Sequence, residues 1–130
     1  MAHTVTIDPG SRVGTVTFEG MVTGTEMLEA CHTLIGDADW RPGFGEVWDL
    51  LDAEVDVGPA EISDLVASTH RLSDRIGQNQ VAIVTTREAV GTLVRLFELF
   101  TIDLGRSYLV VPTRREAAEW LGVPVDALHA

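Results

Sequence analysis

The sequence contains no lysine. All nine of its cations are arginines, set against twenty acidic residues for a formal net charge of −11. Without an ammonium side chain there is neither a Walker-type phosphate loop nor a Schiff-base lysine. The excess of negative charge repels phosphate backbones and argues against nucleic acid as a partner. A salt-adapted surface and a GC-rich genome that spells its cations as Arg both produce this composition, and neither bears on function. Cysteine is nearly absent too. Cys31 stands alone, which excludes an internal disulfide and any cysteine-built metal site. The longest apolar-rich stretch, 90–104, is broken by Arg95, Glu98 and Asp103, so no membrane span is expected. The opening residues, MAHTVTID, have neither a basic nor an apolar leader segment, and the expected compartment is the cytoplasm.

What is present suits a globular protein. The 130 residues are 45% hydrophobic and 22% charged, enough for one domain over 1–130 with a core of its own. Thr4 to Ile7 alternates weakly and Asp8-Pro9-Gly10-Ser11 is a turn. Arg12 to Glu19 then sets Val13, Thr15 and Thr17 against Gly14, Val16 and Phe18, which predicts an antiparallel strand pair ended by Gly20. Thr23 to Glu26 is a capping box opening a helix through Met27, Cys31, Leu34 and Ile35. Cys31 lies on its apolar stripe as a small core residue, and His32 sits beside the stripe at the surface. The run Glu46 to Leu51 predicts a buried strand, Pro59 to Ile76 a helix closed by Gly77, and Val81 to Val84 a second buried strand. A capping box at Thr85 to Glu88 opens a helix over about 89–104 that is apolar on more than one face. Tyr108 to Val111 is the last strand, and a third box, Thr113 to Glu116, opens a helix stopped by Gly122 and Pro124. The predicted order is ββαβαβαβα: an α/β fold with a mixed, mostly parallel five-stranded sheet and about four helices.

In such a sheet, ligands gather beyond the carboxyl ends of the strands, which directs attention to Gly45 to Ile62. Asp49, Asp52, Glu54 and Asp56 read as an acidic turn after the central strand. The following helix enters through Asp56, Val57 and Gly58 without a T-x-x-E box, leaving its amide groups available to an anion or partner. The alternative is that Asp56 caps it. Trp40, Trp48, Phe97 and Phe100 mark where an apolar pocket between the third helix and the sheet is expected, ordinary core packing being the competing reading.

The chain resembles a small bacterial SpoIIAA-like (STAS) domain, in particular the branch grouped with CRAL-TRIO-type lipid-binding proteins. The resemblance rests on Gly20-Met21-Val22-Thr23 to Glu26, the loop Asp37 to Gly43, VWDL at Val47 to Leu50, VAIV at Val81 to Val84, and EAAEWLG at Glu116 to Gly122. It implies a non-enzymatic binding or regulatory module. Signalling STAS domains carry a phosphorylated serine or threonine at the position matching Asp56 to Gly58. No hydroxyl residue stands there, so the phospho-switch does not carry over.

The expected function is binding of a small apolar, lipid-like molecule or a protein partner, by a homodimer and with no cofactor. Its rival is a divalent-metal- or phosphate-dependent activity at Asp49 to Asp56, a spacing that lacks the EF-hand pattern. A receiver-like phospho-acceptor role for Asp49 fails for want of a lysine. His3, His32, His70 and His129 form no two-ligand spacing, and there is no G-x-S-x-G or dinucleotide fingerprint.

Overall fold

The structure is a computed structural model that describes residues 2–128, so His129 lies outside the described residues. Its strands are β1 (Ala2–Asp8), β2 (Val13–Thr23), β3 (Gly45–Asp56), β4 (Gln80–Val84) and β5 (Ser107–Val111). They form one five-stranded sheet in the order β1-β2-β3-β4-β5, antiparallel at the first pair and parallel thereafter. The helices are α1 (Gly24–Gly36), α2 (Pro59–Arg71), α3 (Ser73–Ile76), α4 (Glu88–Phe100) and α5 (Arg114–Leu121). Three successive crossovers each advance one strand in the same direction. Right-handed crossovers of that kind lay every intervening helix on one face. On that face Phe18, Leu34, Ile35, Ile76, Ile83 and Val90 pack into one core. Helix α5 returns across the other face, where Ala117 and Ala118 meet Val47, Ala82 and Val84.

Period-two alternation decides which side chain meets which layer. In β2, Val16 and Phe18 face α1, while Val13 faces α5. In β4, Val81 and Ile83 face the four-helix side and Ala82 and Val84 face α5. That double burial accounts for the unbroken apolar run VAIV. Arg75 ties the short α3 to the end of α1, donating from Nε and Nη2 to the Ile35 carbonyl at 3.0 and 2.7 Å. A cation there completes a carbonyl that the end of a helix leaves unpaired.

Several boundaries differ from the sequence expectation. β2 does not end at Gly20, which takes φ +72° while the ladder continues to Thr23. Glycine tolerates that conformation inside a strand. The acidic segment is not a turn. Pairing passes from Thr17↔Asp49 to Glu19↔Asp52, so a bulge adds one residue to β3, and the strand then runs on to Asp56 opposite Thr23. Ala53 and Val55 turn inward while Asp52, Glu54 and Asp56 are exposed. The helix expected through Ile76 breaks at Leu72, which lets Ile76 drop into the core. Helix α4 stops at Phe100 because the Thr101 hydroxyl donates to the Phe97 carbonyl (3.0 Å), and a 3₁₀ turn, Ile102–Leu104, follows.

Two of the three Thr caps form. Thr23 Oγ1 accepts from the Glu26 N–H at 3.3 Å and Thr113 Oγ1 from the Glu116 N–H at 3.2 Å. Thr85 Oγ1 instead accepts from the Arg87 N–H, and the N-cap of α4 falls two residues later, at Arg87, without a side-chain cap. The first box is also incomplete, since Glu26 is buried and turned toward His3, 3.1 Å from its Nδ1.

Two glycines give opposite expectations. A Cβ built on Gly91, inside α4, meets nothing within 4 Å. Gly91→Ala therefore raises stability by about 0.5–1 kcal/mol in urea denaturation, the entropic cost of helical glycine. Gly77 has φ +73° and its Cβ would lie 2.6 Å from the Gly43 nitrogen. Gly77→Ala lowers stability by about 1–3 kcal/mol in the same assay.

Candidate functional site

Between the helical layer and β3, β4 and β5 lies a cavity of about 120 Å³. Its walls are Leu50 and Ile83 from the sheet, Ile62 and Leu65 from α2, Met27 and Cys31 from α1, and Val90, Leu93, Val94 and Phe97 from α4. Val55, near the carboxyl end of β3, and Val57, just past it, also line the space. These residues face inward because strand alternation and helical spacing both aim apolar positions at this gap. A dry apolar cavity of about 150 Å³ accommodates benzene, so this one suits a single ring or a chain of similar bulk.

The floor is polar. Glu46, on the same face of β3 as Trp48, is 2% exposed, and its Oε2 lies 2.8 Å from Arg106 Nη2. Asn79 Nδ2 donates to the same oxygen (2.8 Å) and Trp48 Nε1 donates to Oε1 (2.8 Å). Arg106 Nε donates to Asn79 Oδ1 (3.2 Å), and the guanidinium carbon sits 5.3 Å from the centre of the Tyr108 ring. A buried carboxylate needs this many donors to remain charged away from water. The Tyr108 hydroxyl is 3.0 Å from Thr101 Oγ1, and its ring meets Phe97 edge-on at 5.9 Å.

Burial governs the two other titratable groups on the wall. The Cys31 thiol is pushed up to about 12, first by desolvation and then by the negative charge of Glu46, with Arg106 opposing. It is a neutral thiol, not a nucleophile. Burial also raises Tyr108, again against Arg106.

Of the residues singled out from sequence, the structure brings Trp48, Val57 and Phe97 together on the cavity wall. The rest lie elsewhere. Trp40 is 2% exposed, packed on Phe44 at 5.5 Å, with its indole N–H donating to the Arg75 carbonyl (2.8 Å). Asp49 points to the opposite face of the sheet, where Arg114 Nε donates to Oδ2 (2.5 Å) while its Nη2 reaches Thr17 Oγ1 (2.7 Å). Asp56 is exposed at the end of β3. The Gly58 N–H is taken by Glu61 Oε1 at 2.7 Å and Gly58, not Asp56, is the N-cap, with no side chain capping the helix. Phe100 is 57% exposed. Among the described residues, no three His, Cys, Asp or Glu side chains are placed to hold a metal ion, and no helix is long and apolar enough to cross a membrane.

The polar floor also sits at the opposite end of the strands from the expected site. Glu46, Asn79 and Arg106 lie at or just before the amino ends of β3, β4 and β5. Sequence reasoning passed over all three. The usable signal was Glu46 in phase with Trp48 on a strand buried from both sides, a charge that demands a cation.

No known family's sequence profile and no curated protein matches the chain. Among solved structures it is similar to an uncharacterized protein of the DUF3478 family, with a SpoIIAA-like fold, from Shewanella loihica PV-4. The two share 15% identity at a TM-score of 0.62, over 92% of this chain and 93% of that one. The fold is SpoIIAA-like. The likeness is one of fold and lends no support to the CRAL-TRIO branch.

The raised groups give the SpoIIAA-like chain a definite alkaline response. Folded Cys31 keeps a proton that the unfolded thiol releases near its ordinary value of 9.0. Folding is then favoured below that pH and loses this contribution as pH rises toward 12, with Tyr108 acting in the same direction. Denaturation midpoints should fall progressively above pH 9, and iodoacetamide should label Cys31 far more slowly than a free thiol. Rapid labelling of the folded protein at neutral pH contradicts this.

Proposed function

We propose that the chain is a single non-enzymatic binding module that holds a small, mainly apolar molecule in the cavity beneath α4. The cavity itself carries the reading. Protein interiors pack to crystal-like density with few voids larger than a water molecule. The space is about half open and its lining is almost wholly apolar, so a ligand that fills it takes apolar side chains out of contact with water. The site residues of this reading are Trp48, Val57 and Phe97, joined by Leu65, Ile83, Leu93 and Val94 on the wall. A lipid-like ligand rests on that lining alone. The cytoplasm is the compartment this reading assumes.

A metal- or phosphate-dependent activity at Asp49 to Asp56 has less support. Asp49 is occupied by Arg114, and the other acidic side chains are strung along an exposed strand. The regulatory side of the proposal, a homodimer or protein partner, draws on a different observation. At the end of α4, Leu99, Phe100 and Ile102 are 67%, 57% and 72% exposed. Apolar side chains clustered at the surface in this way mark association sites.

Native mass spectrometry of protein purified from cells addresses both parts. The expected result is a dimer of the 14.1 kDa chain carrying a co-purifying small molecule. Val94→Phe, which projects a ring into the cavity, should strip the small molecule and leave the dimer. A bare monomer in every preparation contradicts both parts of the proposal.

A further inference from the structure

One edge of the sheet is uncharged and apolar. Among the described residues β5 pairs with β4 and with no other strand. The Ser107 N–H donates to the Asn79 carbonyl and the Val111 carbonyl accepts from the Thr85 N–H, both at 2.9 Å. Main-chain groups alternate in direction along a strand. Ser107, Leu109 and Val111 therefore address β4, while Tyr108 and Val110 turn their N–H and C=O groups outward. Such an edge is a template for another strand, and proteins ordinarily blunt it with a charge, a proline or a bulge. β5, SYLVV, has none of these. Leu109 and Val110, on its two faces, are instead 37% and 39% exposed.

A second copy of the chain fits this edge. With Leu109 on a two-fold axis, Tyr108 of each copy stands opposite Val110 of the other. Each such antiparallel pair exchanges both of its N–H···O=C bonds, so every outward group of the strand is used. The same step brings two helices together. The crossover lays α4 over β4 and β5, and Phe97 and Thr101 both meet Tyr108. Joining the edges sets the two α4 axes about two strand spacings apart, roughly 10 Å, the distance at which helices pack. That contact is needed, because five residues a side fall short of the about 20–30 that a specific interface uses.

Charge favours the same place. Residues 87–115 hold five of the nine arginines and only three of the twenty acidic residues. Elsewhere the acidic excess pushes two copies apart, and along this edge it does not. Resting on the homodimer reading above, we propose that two copies join through β5 into one continuous sheet, with their α4 helices antiparallel across the axis.

Sedimentation velocity and amide hydrogen exchange of the full chain, each over a concentration series, test this. The Tyr108 and Val110 N–H groups should exchange rapidly in dilute protein and become protected as the dimer forms. Val110→Pro removes one outward donor per copy and leaves the β4 ladder alone, as a proline on an edge strand can. It should weaken dimerisation roughly thirtyfold, about the net worth of two hydrogen bonds, with an unchanged circular dichroism spectrum. If that variant fails to fold, exchange at the two wild-type amides decides alone. A dimer in which both amides exchange as fast as in dilute protein overturns this inference and leaves the homodimer reading standing, with the apolar end of α4 as its interface. A monomer at every concentration overturns both, and leaves the edge to a strand from a different protein.

Discussion

A single buried ion pair, Glu46 with Arg106, fixes the amino ends of three parallel strands. Glu46 belongs to β3 and Arg106 precedes β5, with Asn79, just ahead of β4, bonded to both partners. Such a pair adds little net stability compared with apolar side chains of the same shape. Breaking it by removing one partner costs about 3–5 kcal/mol, because the survivor is left charged in a dry interior. Its structural effect is therefore positional. A strand that slipped by one residue would carry Glu46 to the α5 face, away from both donors.

The same network explains why the space above it stays open. A closely packed core ordinarily collapses onto a void. Here the largest rings around the cavity cannot swing inward freely. Trp48 is tethered through its indole N–H to Glu46 and stacks on Phe18 at 5.8 Å. Tyr108 is held through its hydroxyl by Thr101 and lies under the Arg106 guanidinium. Thr101 in turn fixes the last turn of α4 through the Phe97 carbonyl. Polar tethers at the rim and floor thus keep the aromatic walls apart. What remains between them is apolar volume above a polar floor.

How much of this the sequence discloses depends on the range of the interactions. Local ones are legible. The VAIV run is buried on both faces as its composition demands, the alternation of Val16 and Phe18 against Val13 and Thr15 survives, and Thr23 and Thr113 cap their helices. Thr85 fails because Arg87 takes its hydroxyl, a competition between two nearby N–H groups that the T-x-x-E pattern does not record. The bulge between Asp49 and Asp52 hides the alternation that would have revealed Asp52 to Asp56 as strand. Trp48 and Phe97 fall on the cavity by periodicity, while Trp40 and Phe100, aromatic for other reasons, do not. The ion pair spans sixty positions, with |i−j| of 60, and no local pattern links its two residues. Only the oddity of an acid in a buried strand hinted at it.

The account turns on whether the space between Trp48, Ile83, Val94 and Phe97 is hollow. Crystals pressurised with xenon measure this directly, since xenon enters dry apolar cavities of this size without needing a specific chemical partner. A xenon atom between β4 and α4, with the Glu46–Arg106 pair unmoved beneath it, is the predicted result. Side chains filling that volume, with no xenon bound there, would contradict it.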